Sequence, residues 1–585
     1  MDKKAEKLQN QRHTLAHLLA SAVGKIYKFD KVKLTLGPAI DNGFYYDIDF
    51  GDEKVNENDL KKIEDTMRKE LPKWTDWEHK EISKEEALKF FKNEYKAELI
   101  NEIADRGEKI TTYTCGGFTD LCRGGHLEHP AKEIDPASFK LDRVAGAYWR
   151  GDEKNKMLTR IYGLAFETKE ELDAYVLQQE EAKKRDHKKL GPELGLFTFS
   201  NLVGPGLPMF LPKGGILVRE LEEFVRAEKI KRGYSFVRIP HIAKTALYKK
   251  SGHLGKYDAM MPIMKDQEGM EMVLKAMNCP HHFELYNSQP HSYRELPLRF
   301  AETTAVYRNE KSGELAGLLR VKALTQDDTH HFVRHDQIES EIEMILGLMD
   351  SIYKVFDFSE FLVQISVRDP KNKDKYFGGD ELWKESEKIL IEGVKKWGKP
   401  YIVEEGEAAF YGPKIDIMVK DAIGRMWQLT TVQLDFNQPE NFDMTYVGED
   451  GKKHRPAVLH VAILGSVERF LGVLIEHYAG AFPLWLSPVQ VKVIPVRENH
   501  NEYARKIFEF LKENNIRAEF DDADLNLGTK VRDAKNNKLP YWIVVGDKEI
   551  EIDKVTLESR DNGQLGQIGK VELVKKLLEE IKNKK

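Results

Sequence analysis

Hydrophobic residues return at helical spacing across residues 11–28, where Leu15, Leu18, Leu19, Ala22 and Val23 fall on one face. A helix is predicted there. Residues 167–190 are charge-rich with no Gly or Pro, which predicts an exposed connecting helix, and Gly191 and Pro192 then mark a boundary. An amphipathic helix is predicted over 216–232, followed by a strand, FVRIP, that ends at Pro240. After a charged helix over 336–355, the runs FLVQISV, YIVEEG, AFYGPKIDIMV and TTVQLDF alternate apolar and polar residues. That alternation predicts a half-buried antiparallel sheet. LGSVERF leads into an apolar helix, and PLWLSP closes this region. The last hundred residues alternate strand and helix, which implies a small α/β unit with largely parallel strands. The fold class expected is therefore α+β multidomain, with an antiparallel-sheet core followed by a C-terminal α/β unit.

A chain of 585 residues is too long for one hydrophobic core, so several domains are expected. Hydrophobic residues at 41% and charged residues at 32% describe an ordinary soluble composition. The net charge of −6 argues against nucleic-acid binding through bulk charge and leaves room for a local basic surface. Cys115, Cys122 and Cys279 are too few and too scattered for a disulfide framework, which favours a reducing, intracellular setting. The N-terminus lacks the apolar stretch of a signal peptide, and no run of about 18 apolar residues occurs. A cytoplasmic protein with no membrane partner is expected.

Two regions carry chemistry. His13 and His17 lie four apart on the first helix, and Cys122 and His126 repeat that spacing in LCRGGH. Four such residues suit tetrahedral zinc, or they are two unrelated local pairs. The second region runs from MNCPHH through RFAETTAVYRNE to LTQDDTHHF and places Cys279, Arg308, Glu310, Asp327, Asp328 and His330 within one stretch. A thiolate and imidazoles that converge can hold zinc, and neighbouring carboxylates can orient a polar ligand.

YRNE resembles the second signature motif of the class II aminoacyl-tRNA synthetases, and MNCP and TQDDTH resemble the threonyl-tRNA synthetase family. HTLAH, GPAIDNGFYYDIDF, FTDLCRGGH and AGAYWRGD look like the editing domain of that family. The resemblance implies an α/β editing domain over 1–166, a helical linker over 167–190, a class II catalytic domain over 191–486 and an anticodon-binding domain over 487–585. Helix, strand and Pro240 look like the first class II motif, which implies a homodimer, and LHVAILGSVERF looks like the third.

The same resemblance implies the site residues. Arg308 and Arg469 would hold the ATP phosphates with magnesium, and Glu310 and Arg320 would complete that site. One zinc per chain would sit on Cys279, His330 and His460, with Gln326, Asp328, Tyr411 and Gln433 around the threonine. His253, in KKSGHLGKY, matches the family position for transfer to tRNA(Thr). His13, His17, Cys122 and His126 would hydrolyse mischarged seryl-tRNA without a metal, whereas the related domain of alanyl-tRNA synthetases uses such residues on zinc. Glu549 and Arg560 fall near the expected RNA surface. Three departures from the family stand out: Gly125 where proline is common, Leu324 where an aromatic usually faces adenine, and Glu558 where a basic residue is expected. The family's additional small N-terminal domain would have no room before His13.

The chemistry explains why two sites are expected. Threonine and valine are nearly isosteric, and a site that binds the hydroxyl rejects an analogue lacking it by about 10⁴ or more. Serine keeps the hydroxyl and lacks only a methyl, worth roughly 1–3 kcal/mol, so a second, hydrolytic site is required. The alternative reading is a non-catalytic, tRNA-binding synthetase paralogue. A synthetase for serine or proline is disfavoured by Cys279, His330 and His460 together.

Overall fold

The computed structural model describes residues 3–358, 360–421 and 424–585. The chain forms two compact units, Met1–Glu180 and Glu181–Lys585. Among the described residues, no helix is long and apolar enough to cross a membrane.

The first unit is built on the helix Lys3–Tyr27, which runs farther back than its apolar face because residues 3–10 contain no Gly or Pro. Its buried face packs with the strand Gly43–Asp49, which pairs with Met157–Ala165, itself paired with Phe139–Tyr148. A separate three-stranded sheet joins Glu78–Glu81, Thr111–Cys115 and Phe118–Leu121 in that order.

The expected connecting helix is interrupted. Lys169–Arg185 ends, Asp186 caps a new helix His187–Glu193 by accepting from Lys188 N–H at 2.8 Å, and Gly191 and Pro192 lie inside that second helix. The helix therefore continues through them. The His187 ring explains the break, because Nδ1 meets Glu476 Oε1 at 2.7 Å and Nε2 accepts from Leu318 N–H at 3.1 Å. Those buried bonds fasten this helix to the core of the second unit.

The second unit centres on an eight-stranded sheet in the order Ser235–Phe236, Leu298–Tyr307, Ala323–Val333, Ala457–Ser466, Met426–Asp435, Lys414–Lys420, Phe361–Val367 and Tyr401–Glu405. Its six central strands are antiparallel and its two edge pairings are parallel. The helices Pro212–Ile230, Ile338–Val355 and Val467–His477 bury their apolar stripes against it. The C-terminal sheet departs from the expected parallel arrangement. Val491–Pro495 pairs in parallel with Ala518–Phe520 and Tyr541–Val545, but Val555–Ser559 and Gly563–Ile568 add antiparallel strands.

Candidate active site and candidate hydrolytic site

The strand Ala323–Val333 turns Leu324, Gln326, Asp328 and His330 toward a cavity of about 670 Å³. Period-two alternation leaves Asp327 on the other face. Cys279 opens the helix Cys279–Asn287 and lines the same cavity, as do Arg308, Tyr411, Gln433, His460 and Arg469. One ligand atom from each of Cys279, His330 and His460 lies within 4.8 Å of the others.

Hydrogen bonding orients the imidazoles. Asp435 Oδ2 accepts from His460 Nε2 at 2.9 Å, which leaves His460 Nδ1 as a lone pair, 3.0 Å from His330 Nε2. His330 Nδ1 faces His282 Nδ1 at 2.8 Å, and His282 Nε2 lies 3.8 Å from Glu302 Oε2. Burial, then the neighbouring His460 charge, pushes His330 far below its ordinary value and keeps the ring in its neutral form. Burial, then Asp328 and Asp435, pushes the Cys279 thiol well up, so a thiolate there requires a cation. A thiol and two imidazoles, one held by a carboxylate, form a donor set that zinc takes. The residues fit the metal.

At the other end of the cavity, Arg308 Nε is buried without a partner. Arg469 donates from Nε to Leu319 O at 2.9 Å and from Nη1 to Gln428 O at 2.8 Å, and its guanidinium lies 5.6 Å from the Trp427 ring centre. Burial, then the charges of Arg308 and Arg320, holds Arg469 down at about 10. Such crowding of cations seeks an anion. Glu310 and Arg320 do not line the cavity; Glu310 Oε2 accepts from Arg320 at 3.0 and 2.8 Å. Leu324 packs with Val306 and Val321, so its side chain is apolar wall rather than a stacking plane.

The polar end has further anchors. Asn278 donates to Asp328 Oδ2 at 3.0 Å, and Gln433 donates to Gly412 O at 3.1 Å. Tyr411 is held by Asn437, which donates to its carbonyl at 2.8 Å. His253 lies behind Phe410 and Tyr411 with its ring fully buried, its Nδ1 2.7 Å from Ser251 Oγ and its Nε2 unpartnered. Burial, with the His460 charge second, depresses His253 to about 3, so the ring is neutral.

In the first unit, His13, His17, Cys122 and His126 also converge, with ligand atoms within 4.8 Å of one another. His17 Nδ1 bonds Asp120 Oδ2 at 3.0 Å and its Nε2 meets His13 Nε2 at 3.2 Å, while His13 Nδ1 faces Gly125 O at 3.1 Å. Cys122 Sγ lies 3.3 Å from His126 Nε2 and 3.5 Å from His13 Nε2. Burial opposes charge here, but Asp120 and Cys122 lift His17 to about 9. Likewise hydrogen bonds from His126, His13 and His17 outweigh burial and bring Cys122 down to about 3. The pair is a thiolate and an imidazolium. Gly125 stands at φ +84°, a left-handed conformation that proline does not adopt, so this turn differs locally from a proline-containing one.

Sequence reasoning did not single out several partners. Lys96 pairs with Asp120, and Tyr46 OH donates to Asp120 Oδ2 at 2.7 Å. Asn278, Asp435, His282 and Glu302 support the larger cavity. Asp120 and Asn278 each stand within two residues of a chosen cysteine, which was the available signal. Asp435 likewise stands two residues from Gln433, and Lys96 had no such signal. Arg560 spends Nη1 on the carbonyls of Phe482 and Lys538, at 3.0 and 2.9 Å, rather than on an open surface. Glu558 accepts from Trp542 Nε1 at 2.9 Å, and Glu549 from Gly546 N–H at 2.9 Å.

An antiparallel sheet carrying paired arginines over one cavity defines a class II aminoacyl-tRNA synthetase, and the family model of the class II core domain (G, H, P, S and T) matches residues 263–478. An anticodon binding domain matches 490–580, and the second additional domain of threonyl and alanyl tRNA synthetases matches 110–162. The chain belongs to the threonine–tRNA ligase family. It is 49% identical to the enzyme of Porphyromonas gingivalis over 95% of this chain and 85% of that one. It is also 49% identical to that of Bacteroides thetaiotaomicron, over 98% and 88%. Among solved structures, the RNA binding domain of threonyl-tRNA synthetase from Cryptosporidium parvum superposes with TM-score 0.64 at 37% identity, covering 67% of this chain and 98% of that one. A putative threonyl-tRNA synthetase from Aeropyrum pernix gives 0.60 at 28%, covering 68% and 96%.

Proposed function

We propose that this chain activates threonine with ATP, transfers it to tRNA(Thr), and hydrolyses serine mistakenly attached to that tRNA. The observation that carries the reading is the single cavity lined by both a Cys279–His330–His460 cluster and Arg308, whose Nε is buried without a hydrogen-bond partner. Arg308 and Arg469 would hold the phosphates and neutralise charge as the threonine carboxylate attacks the α-phosphorus and pyrophosphate leaves, and magnesium, when bound with ATP, would supply further positive charge. Glu310 and Arg320 steady this end as an ion pair. Cys279, His330 and His460 would hold one zinc, which when bound supplies a Lewis-acid seat for an amino and a hydroxyl group together. Asp328 accepts from the substrate hydroxyl, and Gln326, Tyr411 and Gln433 close around it. Valine lacks that hydroxyl and leaves buried polar groups unpaired. Serine keeps it and passes. His253 takes the proton of the tRNA hydroxyl in the transfer step.

The first unit removes the serine. His13, His17, Cys122 and His126 position water and stabilise the developing oxyanion without a metal. The helix Pro212–Ile230 followed by the strand Ser235–Phe236 supports a homodimer through the first class II motif. The C-terminal unit binds the tRNA, and the setting is the cytoplasm. The domain limits follow the sequence reading: 1–166, 167–190, 191–486 and 487–585.

ATP–pyrophosphate exchange with threonine, serine, valine and proline in parallel tests the reading. Strong exchange with threonine, weak exchange with serine and none with valine or proline is expected. No exchange with any of them would favour a non-catalytic tRNA-binding paralogue.

A further inference from the structure

We propose that Ser251 is a positioning residue for the transfer step: it fixes the His253 tautomer so that Nε2 carries the lone pair. The inference rests on the reading of His253 as the group that takes the tRNA hydroxyl proton. The His253 ring makes a single polar contact, from Nδ1 to Ser251 Oγ at 2.7 Å, and Ser251 Oγ donates to Tyr248 O at 3.3 Å. Two arrangements of hydrogens are conceivable. With the proton on Nδ1, His253 donates to Oγ and the hydroxyl donates onward to Tyr248 O, which satisfies two hydrogen bonds. With the proton on Nε2, the hydroxyl must turn to Nδ1, the bond to Tyr248 is lost, and a buried N–H is left unpaired. Orphaned buried N–H groups are rare and costly. The first arrangement wins, and it aims a lone pair from Nε2.

Ser251 is itself held from the direction of the larger cavity. Gln438 Nε2 donates to Ser251 O at 2.8 Å, and Gln438 N–H donates to Asp435 Oδ1 at 3.0 Å. The other oxygen of Asp435 accepts from His460 Nε2 at 2.9 Å. Ser251, His253, Gln438 and Asp435 are all fully buried, so water does not compete for these bonds. An unbroken line of hydrogen bonds thus runs from His460 to His253. Ring orientation at the transfer histidine is tied to the carboxylate that orients the amino-acid end of the site.

The step this serves balances simply. The tRNA ribose hydroxyl gives its proton to His253 Nε2 while its oxygen bonds to the threonyl carbonyl carbon. The bond from that carbon to the phosphate oxygen breaks, and AMP leaves with the electron pair. Nδ1–H stays on Ser251 Oγ throughout, so the imidazolium is held by the same serine that held the neutral ring.

The test uses the full chain with threonine, ATP and tRNA(Thr), and compares Ser251→Ala, Ser251→Thr, His253→Ala and the double variant Ser251→Ala/His253→Ala. Pyrophosphate exchange reads adenylate formation, and single-turnover transfer from preformed adenylate reads the later step. General-base loss typically costs about 10²-fold or more. His253→Ala should slow transfer on that scale, and Ser251→Ala by at least about 10-fold with exchange within about twofold of the parent. Ser251→Thr keeps the hydroxyl and should restore most of the rate. The double variant should be no slower than His253→Ala alone, since residues acting as one unit are not additive. ¹⁵N-histidine spectra should show Nδ1–H at His253 in the parent and a tautomer mixture in Ser251→Ala. Slow transfer in His253→Ala with parental transfer in Ser251→Ala would overturn this inference and leave the reading of His253 intact. Parental transfer in His253→Ala would overturn that reading itself, and additive losses would assign Ser251 a separate role.

Discussion

Asp327 adjoins Asp328 in the chain, yet it points away from the cavity and holds the strand behind it. The ladder between Ala323–Val333 and Ala457–Ser466 slips: Gln326 pairs with Ser466, but Asp328 pairs with Ala462. The residues at 463–465 therefore bulge, and the Asp327 carboxylate accepts from Ile463 N–H and Leu464 N–H, both at 3.0 Å. Lys229 supplies the counter-charge, with Nζ 2.8 Å from Asp327 O, 3.3 Å from Asp327 Oδ2 and 2.9 Å from Thr329 Oγ1. Lys229 and Asp327 are 2% and 1% exposed, so neither charge is solvated. Lys229→Met leaves the carboxylate with two amides and no cation. Removing one partner of such a buried pair costs about 3–5 kcal/mol. We expect a loss near the lower figure, about 3 kcal/mol, because the amides remain.

Burial already raises the Asp327 carboxyl, against the opposing charge of Lys229. Losing Lys229 raises it further, so the folded variant binds this proton more tightly than the unfolded chain. The deficit is therefore largest above the carboxylate range and shrinks as pH falls through it. The bulge delivers Gly465, at φ +71°, and Ser466, whose Oγ accepts from Arg469 N–H at 3.1 Å. A loosened bulge should thus raise the KM for ATP. Chemical denaturation across pH, combined with hydrogen exchange at Ile463 and Leu464, measures the effect, and Lys229→Met/Asp327→Asn should recover part of the stability. A loss below about 1 kcal/mol with parental exchange at both amides would refute the clamp.

Four further outcomes follow from the same geometry. Burial raises Glu468 to about 7 although Thr325 N–H and Oγ donate to it; an acid raised on folding loses stability as pH climbs from its unfolded value, so Glu468→Gln should gain about 2 kcal/mol above pH 8, and a pH-independent difference in denaturation midpoint would sink this. Cys122, depressed to about 3, should be a thiolate at neutral pH, seen as absorbance near 240 nm that Cys122→Ser removes; titration near an ordinary thiol value would contradict it. Replacing His13 or Cys122 by Ala should let serine accumulate on tRNA(Thr) with threonine charging near normal, and parental clearance in the double variant would end that assignment. Cys279→Ser should lower bound zinc and threonine activation together, whereas normal activation without zinc would show that the metal does not select.

Local periodicity made the catalytic sheet legible. The alternation in FLVQISV, YIVEEG, AFYGPKIDIMV and TTVQLDF marked four of its strands, whereas LTQDDTHHF was picked out by its motif, and the fold is what puts residues 324, 326, 328 and 330 on one cavity face. The C-terminal hairpin was missed because GQLGQI carries two glycines and reads as loop, although the Asn562–Gly563 pair, with Gly563 at φ +67°, is a turn signal. The break at Asp186 was missed for a different reason: its cause is His187 meeting Glu476, nearly three hundred residues away. The site residues that bear charge were found through short motifs. Their supports, such as Lys96 for Asp120, come together only when the chain folds, and no local pattern announces them.

The strand Ala323–Val333 also acts as a graduated scale. Neighbouring marks on its cavity face stand about 7 Å apart, from Leu324 to His330 beside Cys279 and His460, ~20 Å in all. Order in the chain becomes order along the ligand. Deleting one residue would not move the marks by a step. It would turn the scale over, presenting Thr325, Asp327 and Thr329 and hiding the rest. Deleting two would keep the face and shift the far marks by about 7 Å, leaving His330 out of step with Cys279 and His460. Side chains on this strand are therefore free to change chemistry one mark at a time, while its length is not free to change at all.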